Sequence, residues 1–319
     1  MNMSSDSEIS ALTEQLLDPC RSNVALLELL ARGKKSVPAL VEFLRTSKPS
    51  TVSEGRSLAV EGLRILKGRE ALEALIKVAA RQLEMIPDPV VRLAEEMVSS
   101  AAARALADFP DLRARQTLLQ MLDAKPLLGV TEALEGLKDD RAIPGLIVWL
   151  EEDFVAEAAA RAIAAVGRPA VPHLLRSLGF RRMVQGAETK MSERRRARVL
   201  QLLDMLADPS EVVLAAGCLE NSAEGVRWSA AQMLIRRGTG ALRERALDVA
   251  LEFLDSADNR IRADCEELLK SHFEIGRERI EEEIYLRRQI GEPDRPLEVR
   301  ESALEILERI RREGLLRTQ

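Results

Sequence analysis

DFVAEAAARAIAAVGRPAVPHLLRSL, residues 153–178, decides how the rest of the chain is read. Val155, Ala159, Ala162 and Ile163 are apolar at i, i+4, i+7 and i+8, which puts them on one face of an α-helix. Val166-Gly167-Arg168 then interrupts that helix at a glycine. Ala170-Val171-Pro172-His173-Leu174 opens the next one, with proline in the first turn, where its missing N–H would have had no partner. Two short helices result, each apolar on one side only. Neither buries its face alone, so each needs a neighbour of the same kind.

Both marks recur outward from this stretch. The apolar frame returns as Val226/Ala230/Met233/Leu234, Ile261/Cys265/Leu268/Leu269 and Val299/Ala303/Ile306/Leu307. Its starts at 226, 261 and 299 are spaced by 35 and then 38 residues, the period of a two-helix repeat. The proline-opened start returns as Ser36-Val37-Pro38-Ala39-Leu40 and Ala142-Ile143-Pro144-Gly145-Leu146, and each of the three reaches a further leucine at Leu44, Leu150 or Leu178. Asp208-Pro209-Ser210-Glu211 and Thr51-Val52-Ser53-Glu54 read as capping boxes.

These signals predict helices near 8–18, 22–32, 36–46, 52–66, 70–84, 89–108, 111–123, 128–137, 142–151, 154–166, 170–178, 193–206, 209–220, 223–236, 240–255, 259–273, 276–289 and 296–313. The expected fold is all-α, a right-handed α-solenoid of about nine antiparallel helix pairs. It is expected to run as one array over 8–319 after a flexible tail at 1–7. The segment 179–192, GFRRMVQGAETKMS, breaks the pattern and reads as an irregular loop insertion, functional or mobile.

Composition agrees with stacked helices. The 319 residues are 46% hydrophobic but only 3% aromatic, so the apolar surface is mostly Ala, Leu, Val and Ile, which suits close helix packing. A net charge of −5 builds in no general attraction to nucleic acid. Three cysteines do not make a disulfide framework, and Cys218 and Cys265 fall in apolar runs as small core residues. Residues 1–8 carry no signal-type apolar segment, and no run is long enough to span a bilayer. A reduced cytoplasmic setting without membrane contact is the expectation.

The A-[VI]-P-x-L start, the glycine turn at 166–168 and the Val/Ile-Arg pair opening the following helix resemble HEAT repeats. The closest flavour is the HEAT-like type first associated with phycobilisome lyases, and the resemblance covers the chain from about residue 8 onward. It implies a solenoid. For function it implies a range, from scaffolds and lyases to hydroxylases and DNA-repair proteins. The hydroxylase branch holds iron with repeated His-Glu pairs. Here His173 and His272 are followed by Leu174 and Phe273, so no metal, cofactor or catalytic residue is expected.

Two features carry the functional reading. Arg196, Arg227, Arg262 and Arg300 each follow a frame start and would form a column, serving either as an anion-selective stripe or as an internal ladder paired with Glu193, Glu224, Asp258 and Glu298. Arg181, Arg182, Lys190, Arg194, Arg195, Arg196 and Arg198 face only Glu188 and Glu193, a basic patch in an acidic protein. Arg195 also takes an apolar frame position, which suggests a locally opened stack. The consecutive acids Glu95-Glu96, Glu151-Glu152-Asp153 and Glu281-Glu282-Glu283 read as solvated faces. Trp149 reads as core, whereas Trp228 beside Arg227 is a candidate for exposed stacking.

The expected function is a non-catalytic protein-interaction scaffold that docks an acidic partner segment. A chromophore lyase or chaperone-like transferase of the phycobilisome-lyase type is the alternative. Weak nucleic-acid binding through 181–198 is the third reading, argued against by the net charge.

Overall fold

The computed structural model describes residues 3–221, 223–290 and 302–317, and its contacts group into two compact units, 1–166 and 167–319. The second unit begins at Gly167, whose φ of +81° suits a residue without Cβ. The first unit contains α1 (Met3–Gln15), α2 (Ser22–Ala31), α3 (Val37–Thr46), α4 (Glu54–Leu66), α5 (Arg69–Ala79), α6 (Pro89–Ala107), α7 (Leu112–Met121), α8 (Leu128–Leu137), α9 (Ile143–Trp149) and α10 (Asp153–Val166). The helix α1 takes in Met3 to Ser7, part of the segment expected as a tail. In the second unit, α11 (Val171–Leu178) is followed by β1 (Met183–Val184) and β2 (Ala187–Glu188). Then come α12 (Lys190–Leu206), α13 (Pro209–Val212), α14 (Glu224–Arg237), α15 (Gly240–Glu252), α16 (Asn259–Ser271), α17 (Phe273–Ile290) and α18 (Ala303–Arg317).

Within the first unit each odd-numbered helix packs on the even-numbered one that follows it. A second set of contacts joins α2 to α4, α4 to α6, α6 to α8 and α8 to α10, while α1, α3, α5 and α7 pack in series on the other side. The second unit repeats the rule: α11 pairs with α12 and α17 with α18, while α12 packs on α14, α15 on α17 and α16 on α18. Packing between nearest and second-nearest chain neighbours in two layers is compatible with a helical solenoid. The apolar frames line the seams. Val155, Ala159, Ala162 and Ile163 are fully buried, as are Ala230, Met233 and Leu234.

The three proline-opened starts share one local geometry. A 3-10 turn, Gly33–Ser36, Asp140–Ala142 or Arg168–Ala170, runs straight into a helix with proline in its first turn. The residue before the helix is small because it is completely buried: Ser36, Ala142 and Ala170. Serine is tolerated there because Ser36 Oγ donates to Leu29 O at 2.7 Å, which satisfies the hydroxyl inside the core. Of the two expected capping boxes, Asp208–Glu211 is present in full. The other is not: α4 begins at Glu54 itself, Ser53 makes no cap hydrogen bond, and the Glu54 carboxylate instead accepts from Ser22 Oγ at 3.1 Å.

Candidate functional site

The segment 179–192 is ordered rather than irregular. Met183 pairs with Glu188 and Val184 with Ala187, giving the one β-hairpin among the described residues. Gln185 and Gly186 have φ of +50° and +81°, the turn with two left-handed central residues that matches the twist of a tight hairpin. Glycine takes this conformation at no steric cost; the second positive φ falls on a glutamine.

Its base is fixed by a chain of polar contacts. Thr189 N donates to Arg182 O at 2.9 Å and Arg182 N donates to Ser192 Oγ at 3.1 Å. Ser192 Oγ in turn donates to Glu188 Oε1 at 2.7 Å. Glu188 Oε2 accepts from Arg196 Nη1 at 2.8 Å, and these two side chains are only 7% and 2% exposed. Arg196 Nε reaches back to Leu178 O at 3.0 Å, and Arg195 Nη2 donates to Phe180 O. Both arginines therefore cap carbonyls at and just beyond the end of α11, where helical partners run out and a cation is favoured by the helix dipole.

This corrects the sequence reading for Arg195 and Arg196. They are buried structural groups, and Arg195 in its frame position ties α12 to the end of α11 rather than opening the stack. The remaining cations divide by exposure. Arg181, Arg182, Lys190 and Arg194 are exposed, Lys190 donating to Glu193 at 2.8 Å, whereas Arg198 is half-buried. Beside them Phe180, Met183 and Val184 are 71%, 52% and 58% exposed. The hairpin thus carries apolar and cationic side chains outward on a base locked by a buried ion pair.

The arginine column resolves differently from either expectation. Arg227 donates to Glu252 at 2.7 Å and lies 5.2 Å above the Phe253 ring; Arg262 donates to Ser256 O at 3.3 Å and to Asn259 Oδ1. The acids expected as partners serve elsewhere: Glu193 holds Lys190, Glu224 accepts from Ser256 Oγ, and Asp258 caps the start of α16. Arg300, with Val299 and Glu298, lies outside the described residues. Trp228 is not a stacking platform. It is 6% exposed and packs edge-on against Phe253, ring centres 5.3 Å apart. Trp149 is core, His173 is half-buried, and His272 Nδ1 lies 3.0 Å from Leu268 O. Burial pushes the Cys218 thiol up, with the Arg196 guanidinium pulling partly back, and burial pushes Cys265 up as well.

A second correction concerns the acids of α6 and the turn before α10. Glu95, Glu96 and Glu151 are buried, not solvated. Glu95 Oε2 accepts from Arg81 Nη1 at 2.8 Å, and its Oε1 lies 2.9 Å from Arg56 Nε, a charge contact whose N–H points off the line between them. Arg56 Nη1 donates to Leu44 O at 3.0 Å, Ser47 O at 2.9 Å and Ser47 Oγ at 2.6 Å, capping the end of α3. Burial pushes the Arg56 pKa down, Glu95 pushes it back up, and Arg81 adds to the downward push. The sequence reading missed this cluster. The only signal available was an arginine in the first turn of α4, the place that Arg262 holds in α16, whereas Arg196 lies one turn further into α12.

Among the described residues, no group of three or more His, Cys, Asp or Glu side chains is placed to hold a metal ion, and no helix is long and apolar enough to cross a membrane. No protein-family model matches the chain, and no curated protein matches it at a significant level.

Proposed function

We propose that this protein is a non-catalytic interaction scaffold in which the helical hairpins of each unit stack as HEAT-like repeats of the phycobilisome-lyase type, forming a right-handed solenoid. The hairpin at 180–188 is its docking element for an acidic segment of a partner protein, in a cytoplasmic setting. One observation carries this reading: Phe180, Met183 and Val184 stand 71%, 52% and 58% exposed among cations, on a base held by the buried Arg196–Glu188 pair. Apolar anchors supply contact area and surrounding cations supply orientation and steering. The nucleic-acid reading keeps the exposed Arg181, Arg182, Lys190 and Arg194 and loses Trp228, Arg195 and Arg196 to burial.

The test uses a photo-crosslinking residue in place of Gln185, at the hairpin tip. A partner captured by the wild-type surface carries an acidic segment at the crosslink. The same partner is lost, with an unchanged melting temperature, when Phe180, Met183 and Val184 become serine and Arg181 becomes glutamate. Equal capture by that variant contradicts the reading.

A further inference from the structure

The Arg56–Glu95–Arg81 cluster opens onto a cavity of about 650 Å³ between α3 and α5, within the first unit. Its floor has an unbalanced charge: two guanidiniums share the single carboxylate of Glu95. Arg56 is 3% exposed, yet its Nη2 makes no hydrogen bond among the described residues, and neither do Nε and Nη2 of Arg81. Lys48 and Lys77 line the same cavity without an ion pair to any described residue. Of the carboxylates at its rim, Glu42 is taken by Arg45, and Glu73 by Arg69 and Arg113. Glu70 alone is left to oppose the surplus. The walls beside these donors are apolar, formed by Pro38, Val41 and Val78.

A buried cation with open donors, two further cations and a hydrocarbon wall are what a dianion on an apolar body requires. Guanidinium N–H groups match phosphate oxygens, lysines add point charge, and the volume is that of a small-molecule site. We propose that this cavity binds a phosphate monoester group carried on an apolar body, with Arg81, Arg56, Lys77 and Lys48 as its donors. The site is independent of the hairpin at 180–188, so either can fail without the other.

The test titrates the full chain with phenyl phosphate, inorganic phosphate and benzyl alcohol by calorimetry. Phenyl phosphate should bind saturably and more tightly than inorganic phosphate, and benzyl alcohol should not bind. Arg81→Gln with Lys77→Gln, both exposed and outside the core, should weaken phenyl phosphate about tenfold or more while the chain still unfolds in one cooperative transition at a slightly lower temperature. No saturable phenyl phosphate binding, equal affinity for inorganic phosphate, or an unaffected double variant each overturns the proposal. A phosphotyrosine peptide then distinguishes the source. Tighter binding than phenyl phosphate assigns the site to a phosphorylated partner, whereas equal or weaker binding assigns it to a free phosphate ester.

Discussion

Arg196 in the second unit and Arg56 in the first do the same local task in different surroundings. Each sits within the first two turns of its helix and donates to the carbonyls at the end of the helix before it, Leu178 O for one and Leu44 O with Ser47 O for the other. Each is almost fully buried against a glutamate. The difference is the charge balance. Arg196 meets Glu188 one to one, and Ser192 takes up the other carboxylate oxygen, so the pair is closed and serves only to hold a hairpin. Arg56 shares Glu95 with Arg81, whose side chain is 36% exposed, so a positive charge is left over beside a cavity. A matched buried pair is architecture; a surplus facing open space is a site.

The sharpest way to break this comparison is to delete each carboxylate. Glu95→Ala leaves two guanidiniums uncompensated and should destabilise the first unit by about 5 kcal/mol, the upper end of what an unpaired buried charge costs. Glu188→Ala strands one guanidinium and should cost the second unit somewhat less, within the same range of about 3–5 kcal/mol. Urea unfolding of both variants measures the order, and a larger loss for Glu188→Ala would invert the account. Arg81→Gln, by contrast, removes a part-exposed partner and should cost about 1 kcal/mol or less.

Packing gives the next effect in size. Gly129 opens α8 directly against α6: its N–H donates to Ser100 Oγ at 2.7 Å, and a Cβ there would meet Ser100 O at 2.0 Å. Gly129→Ala should therefore cost about 1–3 kcal/mol by forcing the two helices apart. An unchanged unfolding midpoint would mean that the layers yield easily.

A smaller effect separates paired acids from ordinary ones. Two hydrogen bonds from Arg141, at 2.9 and 2.6 Å, hold the Asp139 carboxyl below its usual range. A carboxyl lowered on folding contributes stability that is whole above its unfolded pKa of about 3.9 and is lost as pH falls through the folded value. Asp139→Asn should thus be less stable than wild type at neutral pH, and the two should converge in acid. Parallel curves at every pH would contradict this. The mildest probe is chemical: Cys20 is exposed, while Cys218 and Cys265 are buried with thiols pushed up by burial. A maleimide should label one cysteine in the native chain and all three in urea.

Helices were legible in the sequence wherever the apolar period was long enough to register. The expected 128–137 matches α8 at both ends, and the proline-opened starts fall within a residue of prediction. The hairpin was not legible because strands of two residues carry no alternation, and its turn places glutamine beside glycine rather than a familiar turn pair. The stretch expected as one helix over 209–220 is α-helical only to Val212 and then tightens to 3-10 geometry through Glu220. For the candidate site, the basic segment was visible as a charge run, but its division was not. Arg194, Arg195 and Arg196 are consecutive in sequence and differ only in whether the helix turns them toward carbonyls or toward solvent. Glu95 was likewise hidden, since its partners Arg56 and Arg81 are 39 and 14 residues away in the chain.

Amide hydrogen exchange tests the claim that a closed buried pair builds the hairpin. In the wild-type protein the amides of Arg182 and Thr189, hydrogen-bonded at 3.1 and 2.9 Å, should exchange slowly. In Arg196→Met they should exchange at near-unprotected rates while α14 stays protected. Equal protection of both amides in wild type and variant would contradict the account.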